Sequence, residues 1–173
     1  MANIAIVDDR ADSRETLKSL IEPLLPKKWG CVSLHPLDRL ADYIALLMDP
    51  DQEIAALVLD EKLHEAASAR KTNVSYSGTE LAKFIRKHRP EFPIYLITSF
   101  SEDLNRGNDG LFEELFARKD FQQQPEMHVK RMVRAGSRFT ETFQKELGEL
   151  SNKATLLAKG RATKQDIDSI KAI

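Results

Sequence analysis

The chain has 173 residues, enough for one domain with a substantial core plus an appendage. Hydrophobic residues make up 42% and charged residues 31%, which excludes a low-complexity chain, and no apolar stretch approaches the roughly 18 residues that a membrane span needs. A net charge of −1 gives no global pull toward nucleic acid or an acidic membrane, and the single cysteine, Cys31, excludes an internal disulfide and a CxxC zinc site.

Met1-Ala2-Asn3-Ile4 lacks the basic region and apolar run of a signal peptide, so a reducing cytoplasm is the expected setting. Ile4 to Val7 is a short, unbroken apolar run ending in Asp8-Asp9, the pattern of a strand buried on both faces. Leu17, Leu20, Ile21 and Leu24 then recur at helical spacing, and Pro23 and Pro26 mark that helix's end. Cys31 to Leu34 predicts a second strand, with Cys31 as a small buried hydrophobe. Leu40, Tyr43, Ile44 and Leu47 predict a second helix, closed by Asp49-Pro50.

Ala55 to Leu59 is a third apolar run, ending at Asp60. His64 to Ser77 has no clear period and reads as a loop. Gly78 precedes Leu81, Phe84 and Ile85 in a helix that stops before Pro90. Ile94 to Ile97 predicts the fourth strand, ending at Thr98-Ser99. Ser101 to Gly110 is polar, so any helix there is short. Leu115 to Phe121 predicts a fifth, weaker strand with Lys119 near its end.

Strands alternating with helices imply right-handed crossovers and a parallel sheet covered on both faces. The expected fold class is therefore α/β, a flavodoxin-like doubly wound sheet of five strands, over residues 1–125. A helical extension is expected over 126–173, because Met132, Phe139, Phe143, Leu147, Leu150, Ala154 and Leu157 recur at helical spacings. One helix from about Glu126 to about Lys159 would be roughly 50 Å long, with Gly136 and Gly148 as weak points. Gly160 is the expected stop, and Thr163 to Asp166 resembles the capping box of a last short helix. Residues 129–173 hold ten basic and five acidic residues, net +5, against −6 for the remainder.

In doubly wound sheets the functional crevice lies beyond the carboxyl ends of the strands. Asp8, Asp9, Asp60, Thr98 and Lys119 all follow a strand or lie near its end. Asp8-Asp9 alone can merely cap a helix, and Lys119 alone is a solvated charge. Together they suggest acyl-phosphate chemistry. Three carboxylates suit Mg²⁺, a hard ion that takes oxygen ligands. The ion relieves their mutual repulsion and keeps Asp60 ionised for attack on phosphorus. Lys119 and Thr98 can then meet the phosphoryl oxygens.

These residues carry a resemblance. Ile4-Ala5-Ile6-Val7-Asp8-Asp9, Leu57-Val58-Leu59-Asp60, Gly78-Thr79-Glu80-Leu81, Ile97-Thr98-Ser99 and Phe116-Ala117-Arg118-Lys119 resemble, in order, the motifs of bacterial response-regulator receiver domains. The resemblance covers about Ala2 to Pro125. It implies Asp60 as phosphoacceptor, Asp9 as a direct Mg²⁺ ligand and Asp8 as a mainly water-mediated one. The Lys62 carbonyl would complete the protein ligands. Thr98 and Lys119 would contact the phosphoryl group, Ser99 would leave room for it, and Phe116 would be the aromatic that swings inward with Thr98.

The implied partners are a histidine kinase or phosphotransfer protein upstream, and a downstream protein or a second copy on the C-terminal helix. The implied activity is self-phosphorylation and autodephosphorylation, that of a signalling part and not of a metabolic enzyme. Three positions depart from the family pattern. Glu61-Lys62-Leu63-His64 replaces the usual Met-Pro, with a long loop following. Asp120 stands where a proline usually follows the lysine. The fourth helix is poor.

Other readings are a receiver-like adaptor that works without phosphate, DNA binding through the basic tail, and a haloacid-dehalogenase-type phosphatase. No DNA-binding motif is visible. The phosphatase reading needs a second acid where Lys62 stands. His35, His64, His88 and His128 show no ligand spacing and are expected at the surface, and Trp29 is expected to pack or anchor a loop.

Overall fold

Every residue of Ile54–Leu59 is buried, as is every residue of Ile94–Thr98 and the run Ile4–Val7. Apolar runs of this length with no polar face fit only a sheet covered on both sides. In this computed structural model, which describes residues 1–64, 74–99 and 110–158, they form the middle of a five-stranded sheet. The strands are β1 (Ala2–Val7), β2 (Trp29–Leu34), β3 (Ile54–Leu59), β4 (Ile94–Thr98) and β5 (Glu114–Ala117). All pairings are parallel, and the order is β2-β1-β3-β4-β5. The chain thus reverses its direction of travel across the sheet between β1 and β3, where Val7 pairs with Leu59.

The helices are α1 (Ala11–Ile21, with a 3-10 turn at Glu22–Leu24), α2 (Leu40–Met48), α3 (Gly78–His88), α4 (Arg118–Gln123) and α5 (Pro125–Ala158). Leu17 and Ile21, one turn apart, give α1 its buried face, and Leu81, Ala82 and Ile85 do so for α3. Ser77 caps α3 reciprocally: the Glu80 N–H donates to Ser77 Oγ at 3.2 Å, and the Ser77 N–H donates to the Glu80 carboxylate at 2.8 Å. On one side of the sheet Ile4, Ile6, Leu17, Ile21, Cys31, Tyr95, Phe116, Phe121, Val129 and Met132 form one core, with Trp29 packed against it.

The fifth strand is shorter than its sequence predicts. It stops at Ala117, and Arg118–Gln123 turns into a helix instead of extending to Phe121. Proline after Lys119 would hold that residue out of the helical region; Asp120 imposes no such restriction and sits favourably in the first turn of α4. A helix of two turns is marginal alone. Full burial of the Phe121 ring, worth roughly 1.5–3 kcal/mol, anchors it.

Residue 125, the expected domain boundary, is where α5 begins, but the first compact unit runs from Met1 to Ser137. Val129 and Met132 of α5 are core residues of that unit, as the helical stripe beginning at Met132 requires. In the second unit, from Arg138, Phe139 and Phe143 stack 6.0 Å apart one helical turn from each other. The expected stop at Gly160, the last short helix, most of the loop after His64 and the segment 100–109 lie outside the described residues. Val74 and Tyr76, at the end of that loop, are buried. The Tyr76 hydroxyl donates to the Leu37 carbonyl and meets the Tyr43 hydroxyl at 3.2 Å.

Candidate functional site

The sheet delivers Asp8 and Asp60 side by side. The Asp60 N–H donates to the Val7 carbonyl at 3.0 Å, so the two acids leave adjacent strands together at the point where strand order reverses. Asp8, Asp9, Arg10, Ser13, Asp60, Lys62, Ser99 and Arg118 line one pocket there. Of the residues expected from sequence, it gathers Asp8, Asp9, Asp60, Lys62 and Ser99.

The Asp8 side chain is 2% exposed and that of Asp60 11%. The Arg10 N–H donates to Asp8 Oδ1 at 2.8 Å, the Arg14 guanidinium donates to the Asp8 carbonyl, and the Lys62 N–H donates to Asp60 Oδ2 at 2.9 Å. Burial raises both carboxyls above the usual range. For Asp60 the neighbouring charge of Asp8 adds to the burial, against the Lys62 N–H and Arg118, and its pKa reaches about 6.

Arg118 answers part of that electrostatic cost. Its Nη2 donates to Asp8 Oδ2 at 3.0 Å and to Asp60 Oδ1 at 3.2 Å, and its side chain is only 15% exposed. Lys119, expected to supply the cation, is exposed in the first turn of α4 and does not line the pocket. The early end of β5 explains the exchange: the residue directly after the strand, Arg118, takes the place over the acids. Sequence reasoning missed it because the family pattern points to Lys119, and the signal was the proline missing at Asp120.

Thr98 ends β4 fully buried and pairs with Ala117; Ser99, next along, is exposed in the pocket. Phe116 is 7% exposed and already packed inward, stacked on Tyr95 at 6.4 Å. His128, expected at the surface, is buried with its ring centroid 4.2 Å from that of Phe116. It faces the sheet because it precedes Val129 on the same buried stretch of α5. His35, His64 and His88 are exposed, as expected. Glu61, one of the departures from the family pattern, is 4% exposed and accepts from the Thr79 N–H at 2.9 Å and the Thr79 hydroxyl at 2.7 Å. It holds the first turn of α3, a structural use of a charged residue beside the site.

The donors suit a hard divalent ion in their chemistry, since all are oxygens. Among the described residues no three acidic, His or Cys side chains converge as a ready metal cluster. Mg²⁺ does not need one, because it is commonly held by one or two carboxylates and keeps several waters. Asp8 and Asp60, with Asp9 and Lys62 lining the same pocket, meet that requirement.

The sheet order, with an acid-lined rim at its switch point, defines a doubly wound α/β domain with the flavodoxin-like fold. Solved receiver domains share the architecture. The chain is similar to the response regulator TrrA of Thermotoga maritima, determined in complex with Mg²⁺ and BeF, at 22% identity and TM-score 0.54 over 76% of this chain and 99% of that one. It is similar to the signal receiver domain of an HD domain-containing protein from Pseudomonas fluorescens Pf-5, at 15% identity and TM-score 0.58 over 81% and 92%. A CheY-like receiver domain from Methylobacillus flagellatus matches at 18% identity and TM-score 0.55 over 76% and 98%. No family model and no curated protein matches the sequence. The receiver fold is thus carried by structure at low sequence identity.

Proposed function

We propose that this chain is a phosphorylation switch that accepts a phosphoryl group on Asp60 from a histidine kinase or a phosphotransfer protein in the cytoplasm. The observation that carries the reading is the pairing of Asp60 with Asp8 at the β1/β3 switch point, in a pocket open to solvent at Ser99. The TrrA complex with Mg²⁺ and BeF supports it by analogy of fold. Asp8, Asp9, Asp60 and the Lys62 carbonyl would hold Mg²⁺, which when bound neutralises the carboxylates and the incoming phosphoryl oxygens.

The chain's own groups do the rest. An Asp60 carboxylate oxygen attacks phosphorus, forming the acyl phosphate as the bond to the donor breaks; the donor leaves as imidazole from phosphohistidine, or as acetate from acetyl phosphate. The Lys62 N–H orients the carboxylate through its other oxygen. Ser99 is small enough to admit the donor, and Thr98, next to it, offers its hydroxyl to the phosphoryl group. A rearrangement of Thr98 and Phe116 would pass the added charge to the face beside β5. Output goes to a downstream protein or a second copy through α5, where Leu147 is 43% exposed. The chemistry is confined to the chain's own phosphorylation and dephosphorylation.

The Arg118 ion pair favours a second reading, an adaptor that works without phosphate, because Asp60 already has a cationic partner. Intact mass after incubation with acetyl phosphate separates the two. A single phosphoryl adduct is expected that needs both Mg²⁺ and Asp60 and is absent from Asp60→Asn. No adduct on the wild type under any condition sinks the switch and leaves the adaptor.

A further inference from the structure

We infer that Arg118 is the resident counter-cation of the acidic pocket, a residue that sets how readily the site takes a divalent ion. The inference deepens the proposed function and rests on its assignment of Asp8 and Asp60 as ion ligands. One nitrogen, Nη2, bridges Asp8 Oδ2 at 3.0 Å and Asp60 Oδ1 at 3.2 Å, tying together the two carboxylates that a divalent ion would have to share. This is a built contact, with Asp8 2%, Asp60 11% and Arg118 15% exposed at the side chain. Like charges at these depths repel strongly, and a guanidinium is the side chain best able to stay charged among them.

The bridge is incomplete as an arginine–carboxylate pair. The two acids share one nitrogen instead of meeting the planar fork on two, and Nε is buried with no hydrogen-bond partner. A guanidinium with donors to spare can be released at lower cost than one held on both edges. Arg118 therefore offsets one of the two bridged carboxylate charges in the resting chain and yields the site to Mg²⁺. Lys119, exposed on the next position of α4, contributes only a screened charge.

The test is calorimetric titration of the full chain with Mg²⁺, with no phosphodonor present. Each contact from a charged group is worth enough that Arg118→Ala should bind Mg²⁺ about tenfold tighter than wild type or more. Lys119→Ala should stay within about twofold, as a screened surface charge would. Arg118→Ala that binds Mg²⁺ no tighter than wild type, or fails to bind it, overturns the inference, as does Lys119→Ala showing the larger gain.

A wild-type measurement guards against a variant that does not fold. The ¹⁵Nε resonance of Arg118 should shift as Mg²⁺ saturates the pocket, and an unmoved resonance at saturation counts against the inference. Failure of the phosphorylation reading stays distinguishable. A wild type that never takes up phosphate leaves the Mg²⁺ comparison standing, and unchanged Mg²⁺ affinity in Arg118→Ala leaves phosphoryl uptake standing.

Discussion

The carbonyl oxygen of Asp60 lies 2.2 Å from where a β-carbon on Gly78 would sit, so the first residue of α3 is backed directly onto the Asp60 peptide. The Gly78 N–H donates to the Glu61 carbonyl at 2.9 Å, which fixes the approach. The crowding atom belongs to backbone and cannot rotate away. Gly78→Ala should cost about 2–3 kcal/mol in a thermal or denaturant melt, the upper range for overpacking. A loss smaller than about 0.5 kcal/mol, ordinary for a surface change, would show that α3 can slide off β3. Because Asp60 must move with its carbonyl, phosphoryl uptake by the folded fraction should slow as well.

Asp60 also predicts a pH dependence. Its carboxyl is raised by burial and by Asp8 from 3.8 to about 6, so between these values the folded chain holds a proton that the unfolded chain has released. Stability from this group is present below about pH 4 and is lost as pH rises through about 6. In metal-free buffer at neutral pH, Asp60→Asn should be more stable than wild type by on the order of 2 kcal/mol. The advantage should shrink toward zero near pH 4. Melts of the two proteins across that range isolate the group from other carboxylates, and a constant difference would count against the assignment.

Much of this arrangement is legible in the sequence where one force dominates. Continuous apolar runs ending in acids place β1 and β3, and doubly wound topology then brings Asp8 and Asp60 together without further information. Period alone also places the start of α5 to within a residue of the expected Glu126. What stayed hidden depends on competition between neighbours. Whether β5 continues to Lys119 or turns into a helix at Arg118 is decided by Asp120, which lacks proline's restriction, and by the buried Phe121. The burial of His128 follows from its place one residue before Val129 on a helix whose inner face is set by the sheet. Glu61 is legible only as a departure from the family pattern, and its contact with Thr79 is seen in the structure alone.

The two glycines of α5 should respond to the same substitution with opposite signs. Replacing glycine by alanine inside a helix is worth about 1 kcal/mol in propensity. At Gly148 nothing lies within 4 Å of the added carbon, so that gain stands alone and Gly148→Ala should raise helicity. At Gly136 the carbon would meet the Trp29 ring at 2.7 Å and the Ala55 carbonyl oxygen at 3.1 Å. The ring is partly buried against the core and the carbonyl belongs to β3, so neither gives way freely. Overpacking of this kind costs about 1–3 kcal/mol, which outweighs the propensity gain. Gly136→Ala should therefore lower the melting temperature, with Trp29 fluorescence reporting the shifted ring. A stabilised Gly136→Ala with unchanged fluorescence would show that α5 does not press on Trp29 as closely as these distances state.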